Sequence, residues 1–362
     1  MDKIAEFWGR VERSLFPHLE ECLPEMTRVH RQVVLTLEVV RIEEHVTPGY
    51  LQWLGRRRKD RKALARAFVA KACCNVPTTK ALVDRLLVDR VLRQLCGWDK
   101  AGDVPSLATF SRAFGEFAKS SLADETHAAL VKTYLKDEVV WHVSRDSTAI
   151  EAREKPSPAP LREKSKYGRG RPRKGESRSN GPNRIETQCA QSAEDAIAEL
   201  PKVCDVGAKS DTKGGKRHWT GYKFHVDVGD DGIPLSAVTT SASLHDSQVA
   251  LPLMKMTSGR VTSLYDLMDS AYDAQMIRKM SCELGHVPII DSRATRSQEK
   301  MLFEPDRLRR YYNRTASERF YARLKDNCGG RNVRVRGHTK VHSHLMYGLL
   351  VIFAQSLLGL VT

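Results

Sequence analysis

The sequence has no cysteines spaced as C-x-x-C, although it contains eight cysteines. That spacing is typical of zinc ribbons and redox motifs, so the sequence indicates neither, nor a disulfide framework. We expect reduced thiols in a cytosolic protein. Residues 1–8 are partly acidic where a signal peptide is basic and then apolar, which argues against export.

Long hydrophobic runs are also scarce. The one long apolar stretch extends from Leu345 to Val361 and is interrupted by two glycines, a glutamine and a serine. A helix that crosses a membrane needs about 20 apolar residues. We therefore expect a buried helix that closes the fold, and no membrane attachment.

Acidic residues are outnumbered by basic ones. The 362 residues include 59 Lys and Arg against 44 Asp and Glu, which gives a net charge of +15. Such a surface attracts polyanions, so nucleic acid is the first candidate partner and an acidic membrane the second. The hydrophobic content of 41% is that of a globular protein, and the length favours two domains.

Residues 1–136 have apolar side chains at helical spacing throughout. One helix is predicted from the Pro77-Thr-Thr start signal to Gly97, and another from Pro105-Ser106 to about Lys119. A helix pair about a short turn is compatible with a helix-turn-helix that reads DNA, but such pairs also occur in any helical bundle.

Two β-rich stretches lead into aspartates. The first runs from Glu138 to Asp146, and the second from Ser263 to Asp269. We expect each strand to end at its aspartate, which would then project from the edge of a sheet, although turn formation is the common alternative. Between these strands, residues 218–241 predict a β-hairpin.

Tyr311, Arg314, Glu318 and Lys325 lie on one side of a predicted helix. At ~100° per residue they fall within an arc of about 60°, and the adjoining face is apolar. Salt links on an exposed helix would explain this spacing. The alternative is a metal-binding carboxylate flanked by cations that hold phosphates.

The spacing Tyr-x2-Arg-x3-Glu-x6-Lys, filled by these four residues, resembles the signature around the last acid of DDE transposases from bacterial insertion sequences. The Asp-Ser-Ala-Tyr-Asp sequence that starts at Asp269 is similar to the family's second motif, and Asp146 matches its first aspartate. Met268 and Ala271 stand where the family more often has Ala and Gly. The resemblance covers residues 137–345 well and 62–119 loosely.

This resemblance implies an α/β fold, with a ribonuclease-H-like mixed sheet and flanking helices in residues 137–345. An all-α N-terminal DNA-binding domain, 1–136, would precede it, and a closing helix, 346–362, would follow. The implied activity is metal-dependent cleavage at insertion-sequence ends and strand transfer into target DNA.

Asp146, Asp269 and Glu318 would be both the catalytic residues and the ligands of two Mg²⁺ or Mn²⁺ ions. Asp266 competes with Asp269, and Asp291, at the end of another strand, competes with Glu318. A His-Asp-Ser sequence at residues 245–247 predicts a helix cap and is left outside the metal set.

Double-stranded DNA, as terminal inverted repeats and as target, is the expected partner of a homodimer in the cytoplasm, associated with the nucleoid. Residues 153–184 carry eleven Lys or Arg against three Glu, a net charge of +8, and lack the apolar residues to fold alone. The residues expected to contact DNA are Tyr311, Arg314, Lys325, Arg169, Arg171, Arg173, Lys174, Arg334 and Arg336.

Two other functions remain open. A related ribonuclease-H-like nuclease or integrase would use the same three acids on another substrate. A transposase-derived repressor would bind DNA without cutting it, but it would not need the three acids together with Tyr311, Arg314 and Lys325.

Overall fold

The computed structural model describes residue 6 and residues 9–47, 59–158, 182–210, 215–292 and 302–359. Before the first strand, the described chain is helical, with a π-helical turn at Val11–Leu15 and short 3-10 turns at Ile42–Glu44 and Ala101–Asp103. Its α-helices are α1 (Phe16–Cys22), α2 (Arg28–Val40), α3 (Arg61–Cys73), α4 (Thr79–Val88), α5 (Arg90–Cys96), α6 (Leu107–Lys119) and α7 (Leu122–Leu135).

The helix predicted from Pro77 to Gly97 is two helices, because Asp89 interrupts it. Thr78 caps α4 as expected, accepting a hydrogen bond from the backbone N–H of Ala81 at 3.0 Å. Asp89 is extended and caps α5 by accepting from Leu92 N–H at 2.9 Å. A short side chain that bonds its own backbone competes with the helix, which explains the break.

A mixed sheet follows the helical region, as predicted. Its strands are β1 (Val139–Glu151), β2 (Asp205–Ser210), β3 (Lys216–Val228), β4 (Pro234–Ser241), β5 (Thr262–Met268) and β6 (Val287–Ile290). The order is β2-β3-β1-β5-β6, and β4 also pairs with β3. β1 is antiparallel to β3 and parallel to β5, and β5 is parallel to β6. The predicted hairpin is β3 and β4, and its turn has Gly232 at φ +75°.

Helices cover both faces of the sheet. They are α8 (Arg184–Ala190), α9 (Ala193–Ala198), α10 (Ser247–Ser258), α11 (Gln275–Glu283), α12 (Pro305–Tyr311), α13 (Thr315–Asn327) and α14 (His338–Gly359). α13 contacts β1 and β3, whereas α10 contacts β3 and β4. Since side chains alternate along a strand, adjacent residues of β1 face different helices.

The closing helix expected from residue 346 begins earlier, at His338. It is the one described helix that is long and apolar enough to cross a membrane, but 83% of its apolar window is buried in the protein. Gly348 allows it to approach the end of α13, because a Cβ there would lie 2.7 Å from the Cys328 carbonyl oxygen. α14 therefore serves as a core helix in this fold.

Aromatic side chains join α14 to the N-terminal helices. The ring of Phe68 lies 5.0 Å from that of Phe114 and 5.7 Å from that of Tyr347. One cluster of buried residues contains these side chains as well as β-sheet residues such as Phe224. The domain boundaries at residues 136 and 345 stay predictions.

Arg145 is fully buried beneath the centre of the sheet. It donates to Asp227 Oδ2 at 2.6 Å and lies 3.5 Å from Asp266 Oδ1. Thr257 of α10 also donates to Asp227, at 2.6 Å. A buried guanidinium thus holds two strands through their acids.

We expect Arg145→Met to lower the free energy of unfolding by about 3–5 kcal/mol, because Asp227 would stay buried without its partner. Denaturant unfolding would measure the loss. Arg217→Met is the control, since its pair with Glu151 has side chains 80% and 70% exposed, and it should leave the midpoint unchanged. Equal midpoints for both variants would contradict this account.

Candidate active site

Asp146 and Asp269 lie side by side at the centre of the sheet. The parallel pairing of β1 with β5 ends where Ser144 is opposite Leu267, and the two aspartates lie two residues further along. The prediction that β1 ends at Asp146 is wrong. The strand continues to Glu151, because residues 147–151 keep pairing with β3 after β5 has ended.

A backbone N–H orients each aspartate. Ser147 N–H donates to Asp146 Oδ1 at 2.7 Å, and Ala271 N–H donates to Asp269 Oδ1 at 2.8 Å. Asp269 is the cap of the 3-10 turn Ser270–Tyr272, directly after β5. Each carboxylate therefore has one oxygen held by the backbone.

The helix predicted around Glu318 begins with a tighter turn. α12 ends at Tyr311, a 3-10 turn covers Tyr312–Arg314, and α13 continues to Asn327. Three hydrogen bonds fix α13 on β1: Ser144 Oγ donates to the Arg314 carbonyl at 2.8 Å, Tyr321 Oη to the Asp146 carbonyl at 2.5 Å, and Lys325 Nζ to Thr148 Oγ1 at 2.6 Å.

These contacts meet β1 at every second residue, on the face that carries the Asp146 side chain. They give a structural reason for one position of the signature, since the Lys325 side chain contacts Thr148, whereas Arg314 contacts Ser144 through its backbone carbonyl. Lys325 thereby has a structural contact besides its predicted contact with DNA.

Arg314 connects the acids across the gap between strand and helix. Its guanidinium lies 3.7 Å from Asp146 Oδ2 and 2.7 Å from Glu318 Oε1. Burial opposes its charge, but Tyr311, Asp146, Glu318 and Asp269 together raise its pKa. Asp146 and Glu318 therefore contact the same cation, and Asp269 lies near enough to help raise its pKa.

The environment of Asp146 favours its neutral form. Burial raises the pKa of this carboxyl to about 6, and the negative charge of Asp269 adds to the effect, whereas the Ser147 N–H and Arg314 oppose it. Glu318 is more accessible, with 56% of its side chain exposed. The site thus combines two acids held by the sheet with one acid open to solvent.

Tyr311 lies beside the same group of charges. Its ring is 5.8 Å from the Arg314 guanidinium carbon and 5.0 Å from the ring of Phe303. Burial raises its pKa, and Arg314 opposes that rise. Tyr311 is thus packed, half-buried, at the edge of the acid cluster.

The competing acids have different positions. Asp266 is buried, accepts from Ser281 Oγ at 2.6 Å and lies 3.0 Å from the His286 ring nitrogen, so it belongs to the interior. Asp291 follows β6, and its N–H donates to the Met268 carbonyl at 3.2 Å. Asp291 therefore lies near Asp269, which follows the neighbouring strand β5.

Residues 142–354 match the family described as Transposase DDE domain, and this match covers more than half of the chain. The chain belongs to this transposase family. Residues 17–116 match the family described as Transposase domain (DUF772). A comparison with curated proteins finds none that matches.

Membership in this family confirms the resemblance read from the signature helix, and with it the ribonuclease-H-like fold. A transposase acts on DNA, so DNA is the implied partner, and a polynucleotidyl transferase or endonuclease is the implied class of enzyme. DDE transposases generally use divalent metal ions.

The sequence did not indicate that Asp246 belongs to the surroundings of the candidate active site. Asp246 occupies the N-cap position of α10, but its side chain makes no capping hydrogen bond. Within the cap predicted at residues 245–247, His245 Nδ1 accepts from the Ser247 N–H at 3.4 Å. Lys223 Nζ instead donates to Asp246 Oδ1 at 2.9 Å. Although burial favours the neutral acid, His225 and Lys223 lower the pKa of Asp246. The pairing joins β3 to α10, and no local pattern encodes it.

Tyr272 belongs to the motif that starts at Asp269, and its hydroxyl has an unusual environment. The residue is 1% exposed, and the hydroxyl has no hydrogen-bond partner among the described residues. Burial, together with Asp246 and Asp146, raises its pKa well above that of ordinary tyrosine. An unused donor thus lies near the acids.

The remaining predicted DNA contacts divide into two groups. Arg334 and Arg336 lie on the surface between α13 and α14. Arg169, Arg171, Arg173 and Lys174 fall outside the described residues. The contact of these residues with DNA stays a prediction.

Within the described ranges, no three His, Cys, Asp or Glu side chains form a group able to hold a metal ion as it stands. Arg314 lies among the three acids in this arrangement. The donor set nevertheless fits Mg²⁺, a hard ion that takes a few carboxylate oxygens and retains water.

The raised pKa of Asp146 predicts a pH dependence of stability. Folding favours the neutral acid, so the stabilisation is complete below about pH 4 and is lost as the pH rises through about 6. From pH 4 to 7 in EDTA, wild type should lose about 1–3 kcal/mol relative to Asp146→Asn, at about 1.4 kcal/mol per pKa unit. Denaturant unfolding at each pH measures this difference. A constant difference would contradict the raised pKa.

Proposed function

We propose that the protein cleaves DNA at the ends of an insertion sequence and joins those ends to target DNA. The observation that carries the proposal is the contact of one guanidinium, that of Arg314, with Asp146 and Glu318, beside Asp269. The buried acids Asp227 and Asp266 also share one guanidinium, but Arg145 is only 1% exposed. Arg314 is 21% exposed, and its partner Glu318 is open to solvent.

Asp146, Asp269 and Glu318 are the proposed ligands of two Mg²⁺ or Mn²⁺ ions. The chemistry that such ions supply is activation of the attacking water or DNA 3′-hydroxyl and stabilisation of the leaving oxygen. The backbone N–H groups of Ser147 and Ala271 hold the two aspartates by one oxygen each, which leaves the other oxygen for a ligand.

Arg314 has a second task in this proposal. It offsets part of the negative charge of Asp146 and Glu318 in the free protein, and its planar fork suits a phosphate of the bound strand. Tyr311 stands next to it to pack against or hydrogen-bond the same strand. Lys325, held at Thr148, adds a positive point charge further along β1.

The wider DNA surface is basic. Arg334 and Arg336 are exposed after the end of α13. Residues 153–184, whose net charge is +8, contain Arg169, Arg171, Arg173 and Lys174. These residues are proposed to bind the backbone of inverted-repeat and target DNA. Because two ends are joined, the working form is proposed to be a homodimer on DNA at the nucleoid.

The experiment is a strand-transfer assay with Mg²⁺ on duplexes that carry the inverted repeats flanking the gene. Glu318→Gln should abolish cleavage and joining while DNA affinity stays within about tenfold, because phosphate contacts dominate binding. Glu283→Gln is the matched control, since Glu283 also forms an i,i+4 pair on a helix surface, with Lys279 at 3.5 Å.

Cleavage that persists in Glu318→Gln would reject Glu318 as a ligand. Wild-type protein that binds the repeats but never cuts them, with Mg²⁺ or Mn²⁺, would favour the repressor. Cutting without joining would favour the related nuclease.

A further inference from the structure

A small cavity lies where the N-terminal helices meet the segment after α13 and helix α14, and none of the three acids lines it. It is lined from α3, α4, α6, the segment after α13, and α14, and its volume is about 40 Å³. A water molecule needs about 10–15 Å³, so the cavity has room for a few waters or for one tetrahedral oxyanion.

Lys71 is the charged group of this cavity. The residue is 8% exposed, and its ammonium forms no hydrogen bond or ion pair with any described residue. Burial lowers the pKa of Lys71 to about 8, so the group is mostly protonated at neutral pH. Its nitrogen is not among the fully buried atoms without a partner, so it reaches the water-accessible space of the cavity. A largely buried charge without a counterion is costly, and native proteins pair such charges.

Other groups adjoin the same space. The Tyr347 side chain lines the cavity, and its hydroxyl is buried behind that lining without a partner in the described part of the chain. The N-terminus of α4 lies at Thr78 and Thr79, where the first N–H groups of a helix lack intrahelical acceptors. Such an end favours anions, as the positive pole of the helix dipole does.

Among the described residues that line the cavity there is no acid to satisfy Lys71. Arg334, exposed at the rim, adds a second positive charge, and Asn332 adds an amide. His344 also lines the cavity, lies 3.0 Å from the Gly329 carbonyl through Nε2, and is neutral, because burial lowers its pKa to about 4. The cavity thus offers donors and positive charge from three separate segments, α3, the start of α4 and the segment after α13.

We propose that this cavity binds one phosphate group, with Lys71 as the buried ligand and Arg334 as the outer one. The group comes either from the DNA backbone or from a small phosphate compound. Bound there, it would tie α3 and α4 to the segment between α13 and α14. Only the DNA source rests on the proposed function, since the cavity itself requires no catalysis.

The first arm of the test is thermal unfolding of the full chain in inorganic phosphate against chloride at equal ionic strength. Phosphate should raise the wild-type unfolding temperature in proportion to the logarithm of its concentration above Kd. Lys71→Met should raise that temperature without phosphate, since it removes an uncompensated charge, and should abolish the phosphate shift. Arg334→Gln should reduce the shift.

Lys62→Met is the matched control on α3. Lys62 is exposed and outside the cavity, so its variant should keep the full phosphate shift.

The second arm identifies the source, by measuring duplex DNA affinity at several salt concentrations. If a backbone phosphate enters, Lys71→Met should weaken binding about tenfold and lower the slope of log K against log salt by about 0.9. If the source is a small phosphate, DNA affinity should match that of Lys62→Met while the thermal shift is lost.

The proposal is overturned if wild type shows no phosphate shift and Lys71→Met leaves DNA affinity unchanged. It is overturned as well if Lys71→Met keeps the phosphate shift. Neither outcome touches the proposed catalysis, which is tested by cleavage with Glu318→Gln.

Discussion

The docking of α13 on β1 is the contact on which the candidate active site depends. Glu318 and Asp146 are far apart in sequence, and this contact alone brings them to one guanidinium. Phe320, Tyr321 and Leu324 of α13 are buried, and burying such a side chain contributes about 1.5–3 kcal/mol. The three hydrogen bonds contribute about 1 kcal/mol each, so apolar burial supplies the stability and the hydrogen bonds supply the register.

The charged side chains on the two faces of the sheet differ in how deeply they are buried. On the α10 face, Arg145 is 1% exposed and paired with fully buried acids, which makes it part of the interior. On the α13 face, Arg314 is 21% exposed and its acid partner Glu318 opens to solvent. A pair of the first kind holds strands together, whereas a cation of the second kind can exchange its acids for a phosphate.

Local sequence predicted the parts of the site that local physics determines. The signature spacing located the polar side of α13, and the apolar run before Asp269 located the end of β5, because both patterns follow the period of the element. The end of β1 was wrong, since continued pairing with β3 beyond Asp146 depends on a strand that lies about 80 residues further along. Other features depend on contacts between segments that are distant in sequence, so no spacing pattern predicts them. They are the pair of Lys223 with Asp246, the unpartnered hydroxyl of Tyr272 and the buried Lys71.

The central claim is that Asp146, Asp269 and Glu318 bind divalent ions, and anomalous diffraction from crystals grown with Mn²⁺ and terminal-repeat DNA tests it most directly. The account predicts Mn²⁺ peaks within bonding distance of all three carboxylates, with Arg314 moved from Glu318 to a DNA phosphate. Peaks held by Asp291 in place of Glu318, or no peak at Asp146 and Asp269, would contradict it.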